Sequence, residues 1–158
     1  MSTLSKLSAS MEDYLEAIHN IIDKQGAVRV KDISGYLDVK AASVTAALQA
    51  LAKAELVNYK PYGIITLTPK GNAQAQKVIH KHRTLKAFFV DILDADRKEA
   101  ETVACKIEHV ITDKLFSRLI CFTNFIKSCP ECGSNLIEAF HRYCQANKKC
   151  HEQGVVDH

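Results

Sequence analysis

In the stretch KAASVTAALQALAKAELVNYKPYGIITLTPKG, residues 40–71, the spacing of the apolar residues changes from a helical period to a period of two, and this change decides the fold. Its first half is rich in Ala and Leu, and Val44, Leu48 and Leu51 recur on one face at helical spacing. Its second half is β-prone, changes to a period of two and contains the turn sequence Pro-Tyr-Gly. We therefore predict a strong helix followed by a hairpin of two short strands.

Two further helices are predicted before this stretch. The segment SMEDYLEAIHNIIDKQG, residues 10–26, is amphipathic at helical spacing, and Ser10 followed by Asp13 resembles a capping box. The segment VRVKDISGYLDV, residues 28–39, predicts a short helix that breaks after Leu37. Two helices, a tight turn, a third helix and a hairpin form a winged helix–turn–helix, whose recognition helix enters the major groove of DNA.

Polar and basic residues of this unit are candidates for DNA contacts. Ser, Thr and Gln side chains donate to phosphates or base edges, and Lys and Arg neutralise phosphates. The candidates are Lys40, Ser43, Thr45 and Gln49 on the recognition helix, Lys60 and Tyr62 on the wing, and Arg29 and Lys31 ahead of the second helix. A module that binds another protein is the alternative, because a fold alone does not determine its ligand.

The residues after the hairpin predict a mainly α remainder. A helix is predicted over residues 69–93 with Thr68 as its cap, and residues 94–120 are predicted to form one further helix. In the tail, the chain breaks at Pro130 and again at Gly133, before a last amphipathic helix.

Composition and charge bound the class of protein. No run of eighteen apolar residues predicts a membrane span, and the N-terminus does not resemble a secretion signal. We therefore expect a cytoplasmic protein, in which six cysteines favour metal or redox chemistry over disulfides. Residues 1–86 carry 12 Lys and Arg against 7 Asp and Glu, and residues 87–158 carry 9 against 11. A basic first half suits a nucleic-acid module, although ordinary scatter of surface charge explains it equally well.

Metal-binding residue types are concentrated in the segment ACKIEHV. Cys105, Glu108 and His109 stand at i, i+3 and i+4, which on a continuous helix places a thiolate, a carboxylate and an imidazole on one side. Together with Asp13 and Glu16 on the first helix, they favour Fe(II), Mn(II), Co(II) or Ni(II) over Mg(II), with Zn(II) as a competitor. Taken singly, each has a structural explanation, such as an acid favoured by the helix dipole or a small buried thiol. Without a Gly-rich oxyanion loop, a Cys–His pair does not indicate catalysis, and we predict that the chain is not an enzyme.

The chain resembles the diphtheria toxin repressor family of metal-dependent repressors in five segments, in order and with family-like spacing: SMEDYLEAI, SVTAALQALAKAELVNYK, YGIITLTPKG, HKHRTLKAFF and ACKIEHVITDKL. The resemblance covers residues 8–120 and implies a short form without an SH3-like third domain. It implies a homodimeric repressor that binds double-stranded operator DNA, takes Fe(II) or Mn(II) as co-repressor and controls iron or manganese homeostasis. The implied division is a winged helix–turn–helix domain at 1–70, a helical metal-binding and dimerisation domain at 71–128, and a Cys-rich tail at 129–158.

The family's metal ligands carry over position by position as a mixture of its two branches. Asp13 and Glu16 match two acids of the manganese branch, and the iron branch has a methionine at the position of Asp13. Cys105 matches a cysteine of the iron branch, where the manganese branch has a glutamate, and it slightly favours iron. The positions that match both branches are His82, Glu108 and His109.

Two further positions concern the second metal site of the iron branch. Glu101 stands where that branch keeps a histidine, and Lys86 stands where it has a glutamate. The resemblance therefore disfavours a second site of the iron-branch type in this chain.

The tail contains four cysteines that the resemblance does not explain: Cys129, Cys132, Cys144 and Cys150. A C-x2-C pair flanking Pro is typical of tetrahedral zinc or of an iron–sulfur cluster, and His141 or His151 can replace one ligand. Zinc would have a structural role and cross-link the tail. A cluster would make the protein a winged-helix regulator that senses redox state or iron–sulfur status. Thiols that pack in or near a dimer interface are the third interpretation.

Overall fold

A computed structural model describes residues 7–129 and 133–146 of the chain. These residues form two compact units, one ending at His82 and the other beginning at Arg83. The elements are α1 (Ala9–Gln25), α2 (Val30–Leu37), α3 (Ala41–Lys53), β1 (Val57–Asn58), β2 (Thr66–Leu67), α4 (Pro69–Asp91), α5 (Arg97–Ile107), α6 (Asp113–Ser128) and α7 (Gly133–Ala146). The mainly α prediction is therefore confirmed. Within the described part of the chain, no helix has the length and apolar character needed to cross a membrane.

The first unit is a winged helix–turn–helix, as the change of period predicted. Helix α2 packs against α1 and α3, and β1 pairs antiparallel with β2 in the register Val57↔Leu67 and Asn58↔Thr66. The apolar positions Val44, Leu48 and Leu51 of α3 are buried in a core that α1 and the hairpin share. Burying each side chain of this size contributes roughly 1.5–3 kcal/mol, which holds α3 at a fixed angle to the wing.

The first helix begins two residues earlier than its sequence signal suggested. Ser8, with extended backbone angles, is the N-cap and its side chain accepts a hydrogen bond from the Met11 backbone N at 3.3 Å. Ser10 already lies inside the helix, so the predicted capping box at Ser10 and Asp13 is wrong. The helix ends at Gln25, and its C-cap Gly26 adopts a left-handed conformation with φ of 76°.

The junction between the hairpin and α4 is closely packed. The Thr68 hydroxyl accepts a hydrogen bond from the Gly71 backbone N at 3.0 Å, which confirms Thr68 as the cap. A Cβ atom at position 71 would lie 1.8 Å from the Leu56 carbonyl oxygen, so only glycine fits there. The wing and the start of α4 therefore meet through direct backbone contact.

The second unit corrects the prediction of one helix over residues 94–120. Helix α5 ends at Ile107, and α6 begins at Asp113 and continues to Ser128. Thr112 adopts extended backbone angles and its hydroxyl accepts a hydrogen bond from the Leu115 backbone N at 3.2 Å. A new N-cap thus restarts the helix. The break lets Ile111 enter a core with Leu85, Ala104 and Phe116.

Candidate metal centre and DNA-binding surface

The carboxyl-terminal end of α5 carries the pair Glu108 and His109. The Glu108 backbone N still donates to the Ala104 carbonyl oxygen at 3.0 Å, but Glu108 is the C-cap and His109 lies in the turn that follows. The expectation that both stand with Cys105 on one continuous helix is therefore wrong. After these residues Ile111 enters the core, and α6 begins at Asp113 with Thr112 as its N-cap.

The two side chains are buried side by side. The Glu108 side chain is 0% exposed, the His109 side chain is 8% exposed, and Glu108 Oε1 lies 3.3 Å from His109 Nε2. A carboxylate out of contact with water is costly unless a cation or several donors compensate its charge. The last carbonyl groups of a helix add partial negative charge at its carboxyl end. Oxygen and nitrogen donors at such a place fit a divalent first-row metal ion.

Cys105 lies one turn earlier on α5, where its side chain is exposed. A thiolate there is accessible both to a metal ion and to solvent. The structural alternative for Cys105, a small buried thiol, does not hold, because the structure places the side chain at the surface.

The first unit holds the other candidate ligands on two helices. Asp13 and Glu16 are half-buried on α1, and His82 is half-buried on α4. Sequence reasoning missed Glu12, which is buried and whose Oε1 accepts a hydrogen bond from Gln74 Nε2 at 3.4 Å. This contact ties α1 to α4 next to Asp13. The signal for Glu12 was only its place in an acidic first turn, which a solvated charge fits equally well.

The tail cysteines are only partly described. Cys129 and Cys144 are half-buried, whereas Cys132 and Cys150 lie outside the described residues. Within residues 7–129 and 133–146, no group of three metal-binding side chains at ligand spacing includes Cys129 or Cys144. His141 Nε2 lies 3.0 Å from the Ile92 carbonyl oxygen, and this backbone contact accounts for its position.

The recognition helix presents most of its predicted residues to solvent. Lys40, Ser43 and Gln49 are exposed. Thr45 is half-buried and its hydroxyl donates to the Ala41 carbonyl oxygen at 3.0 Å, so its hydrogen is already used within the helix. Sequence reasoning missed Ala46, which is exposed between Ser43 and Gln49. A methyl group at this place can contact a thymine methyl.

The flanking basic residues are exposed as well. Lys60 and Tyr62 lie on the wing turn, and Arg29 and Lys31 lie at the start of α2. The Arg29 backbone N donates to Asp32 Oδ2 at 2.8 Å, which caps α2. The first unit thus offers the recognition helix, the wing and the start of α2 to a polyanion.

Comparison with known proteins identifies the family. Residues 6–65 match the family described as iron dependent repressor, N-terminal DNA binding domain, and residues 68–137 match iron dependent repressor, metal binding and dimerisation domain. An uncharacterised helix–turn–helix transcriptional regulator from Methanocaldococcus jannaschii is 38% identical over 122 residues, 77% of this chain and 98% of that protein. The chain belongs to the iron-dependent repressor family. This confirms the resemblance drawn from the sequence, and it places the chain among transcriptional regulators rather than enzymes.

Other members of the iron-dependent repressor family extend the comparison. The transcriptional regulator MntR of Listeria innocua is 33% identical over 129 residues, 82% of this chain and 90% of that protein. The solved structure of the manganese regulator SloR is 29% identical with a TM-score of 0.65, covering 76% of this chain and 56% of that one. The chain therefore spans about half the length of that solved regulator.

Proposed function

We propose that the protein is a homodimeric, metal-dependent transcriptional repressor that controls iron or manganese homeostasis in the cytoplasm. The observation that carries the proposal is the buried Glu108–His109 pair at the end of α5, inside the segment that matches a metal-binding and dimerisation domain. The SloR structure is described as a manganese regulator, which supports the same class of effector. We retain the functional division into residues 1–70, 71–128 and 129–158.

The metal ligands that we assign lie on α1, on α4 and at the carboxyl-terminal end of α5. A divalent cation, when bound, supplies the positive charge that buried acidic and imidazole groups require. The assigned ligands are Asp13, Glu16, His82, Cys105, Glu108 and His109. Metal that prefers the DNA-competent arrangement shifts the population toward it.

The energetic requirement of this coupling is modest. A hundredfold gain in operator affinity needs about 2.7 kcal/mol of coupling free energy. Typical couplings between two binding sites are about 1–3 kcal/mol. Preferential metal binding to one arrangement therefore suffices, and no large rearrangement within either unit is required.

Iron is slightly favoured over manganese because of Cys105, whose soft thiolate suits Fe(II) better than Mn(II). The exposed position of Cys105 on α5 supports this role, since the side chain is accessible to an ion from solvent. Cys105→Glu replaces the thiolate by a carboxylate and should shift the preference toward Mn(II). Competition of the two ions in anaerobic calorimetry measures the shift. An unchanged ratio of affinities would remove Cys105 from the ligand set.

Dimerisation is supported by the second unit's surface. Helices α6 and α7 pack against each other yet leave large apolar side chains exposed: Leu115, Phe122, Phe125, Leu136 and Phe140. Large apolar side chains left exposed on two neighbouring helices favour an interface with another protein. In such a dimer, the two recognition helices are related by a two-fold axis and each contacts one half-site of the operator.

Operator binding with and without metal tests the proposed function. Genomic fragments are first selected with Mn(II)-loaded protein, and the selected DNA is then titrated with protein in Mn(II), in anaerobic Fe(II) and in chelator. We expect affinity to rise about a hundredfold with either metal. Equal affinity in chelator and in both metals contradicts the proposal.

A further inference from the structure

A cleft of about 520 Å³ opens in the first unit, between the end of α1, strand β2 and the start of α4. Pockets that bind small molecules have volumes of roughly 300–1,000 Å³, mostly apolar walls and a few polar groups that fix the orientation of the ligand. The wall of this cleft is mostly apolar and includes Ile22, Leu67 and Pro69, and its polar residues include Asp23 and Asn72. Its size and composition therefore suit a small molecule.

Asp23 gives the cleft a negative charge. Among the described residues that line the cleft, Asp23 is the acid, and neither Lys nor Arg is present. Asp23 is exposed, and no ion pair or hydrogen bond of its carboxylate is found in the described part of the chain. It also lies in the last turn of α1, where the helix carbonyl groups add partial negative charge and an acid is unfavourable. The end of α1 therefore favours a cation in the cleft.

The backbone of β2 adds a hydrogen-bond acceptor. The Thr68 backbone N donates to the Leu56 carbonyl oxygen at 3.0 Å, so these two residues form a hydrogen-bonded pair of the antiparallel ladder. The neighbouring pair, Val57 and Leu67, is then a non-hydrogen-bonded pair, and Leu67 turns its backbone N–H and C=O away from β1. Over residues 7–129 and 133–146, no backbone hydrogen bond on that side is found at Leu67. Because Leu67 lines the cleft, its carbonyl oxygen is an acceptor for a ligand there.

We propose that the cleft binds a small organic cation, with a primary ammonium group on an apolar body. The ammonium group donates to the Asp23 carboxylate and to the Leu67 carbonyl oxygen, and the apolar body lies against Ile22 and Pro69. An ammonium group has donors and no acceptor, which matches two groups that only accept. The inference goes beyond the proposed function and does not rest on metal binding. It assigns a second type of ligand to the unit that carries the DNA-binding surface.

Tryptamine, which is positively charged at neutral pH, is the probe. Tryptophol is its neutral counterpart, because it has a hydroxyl group in place of the ammonium group on the same apolar body. NMR of the isotope-labelled full chain in chelator follows the backbone amide signals during titration with each compound. For a compound of this size, the binding energy per atom typical of drug-sized ligands gives a Kd of about 2 mM.

We expect tryptamine to cause saturable shifts of the amide signals of Gly26, Leu67 and Asn72, which line the cleft. Tryptophol should bind about two- to fivefold more weakly, which is the range for loss of an exposed ion pair. Shifts that do not saturate at about five times the expected Kd, or that avoid these residues, overturn the inference. Affinities of the two compounds within about 1.5-fold of each other also overturn it.

Asp23→Asn tests the charge within the protein. It should weaken tryptamine binding about two- to fivefold and leave tryptophol binding within about 1.5-fold of wild type. It should not lower Tm, since an acid at this end of a helix is unfavourable. Asp38→Asn is the matched control, because Asp38 is an exposed acid of the same unit that does not line the cleft. Its backbone is left-handed with φ of 52°, a conformation that Asn also adopts.

The variants give two further outcomes that decide the inference. Asp38→Asn should leave the affinity for both compounds within about 1.5-fold of wild type, and a loss as large as that of Asp23→Asn overturns the inference, because net charge alone would explain it. Tryptamine affinity in Asp23→Asn within about 1.5-fold of wild type overturns it too. The comparison of tryptamine with tryptophol uses wild type and stands even if Asp23→Asn does not fold. Metal-dependent operator binding is measured separately, so the failure of either proposal leaves the other testable.

Discussion

Replacing Glu108 by glutamine separates metal binding from folding. The change keeps the shape of the side chain and removes a negative charge from a group that is 0% exposed and adjoins His109. A buried carboxylate is costly, and a neutral amide of the same shape carries no charge that needs compensation. In chelator, we therefore expect the free energy of unfolding of Glu108→Gln to stay within about 1 kcal/mol of wild type.

With metal present, wild type and Glu108→Gln should differ clearly in stability. At a Mn(II) concentration of 100 times Kd, binding stabilises wild type by about 2.7 kcal/mol. Loss of a charged ligand should weaken binding at least as much as loss of an outer-shell partner, about a hundredfold. The same Mn(II) concentration then equals the variant's Kd and stabilises it by about 0.4 kcal/mol. For a chain of this size, Tm rises by about 5–11 °C in wild type and by about 1–2 °C in the variant.

Thermal unfolding followed by circular dichroism, with Mn(II) and with chelator, measures the stability without metal and the rise in Tm that Mn(II) causes. Glu99→Gln is the control, because Glu99 is an exposed glutamate in the first turn of the same helix. It should keep the full Mn(II)-induced rise in Tm. The reasoning fails if Glu108→Gln keeps that rise too. It fails equally if, in chelator, the free energy of unfolding of Glu108→Gln is lower than that of wild type by more than about 2 kcal/mol. Glu108 would then be needed for the fold itself.

Three further experiments use substitutions in other parts of the protein. Lys60→Ala on the wing should weaken binding to all DNA sequences and reduce the slope of log affinity against log salt concentration by about one. Gln49→Ala should weaken binding to the selected operator by about 1–3 kcal/mol and leave this slope unchanged. Fluorescence anisotropy across salt concentrations measures both effects. Phe122→Glu places a charge on an exposed apolar side chain of α6 and should convert the dimer to a monomer in analytical ultracentrifugation, with secondary structure unchanged. Gly71→Ala should destabilise the first unit by more than about 3 kcal/mol in urea unfolding, because its Cβ would overlap the Leu56 carbonyl oxygen. Gly35→Ala is the control: no atom lies within 4 Å of a Cβ at this position, so the change in stability should be less than about 1 kcal/mol.

Local patterns determined the first unit. The helical period of α3, the change to a period of two and the cap at Thr68 are properties of neighbouring residues, so they could be recognised without knowing what packs against them. The ligand candidates followed from residue types at family positions. The start of α1 was misplaced by two residues, because Ser8 and Ser10 are equally good caps as isolated residues.

The sequence by itself thus determined the winged helix–turn–helix, the helical remainder and the set of candidate metal ligands. Tertiary structure decided that α5 stops at Ile107, that Glu108 and His109 are buried together, and that Lys86 pairs with Glu101. Helical periodicity runs on through residues 94–120 and contains no signal strong enough to stop it. The break appears because Ile111 and Phe116 gain more by entering the core with Leu85 than by continuing one straight helix. Burial and contacts between helices depend on residues distant in the chain, and only packing brings those residues together.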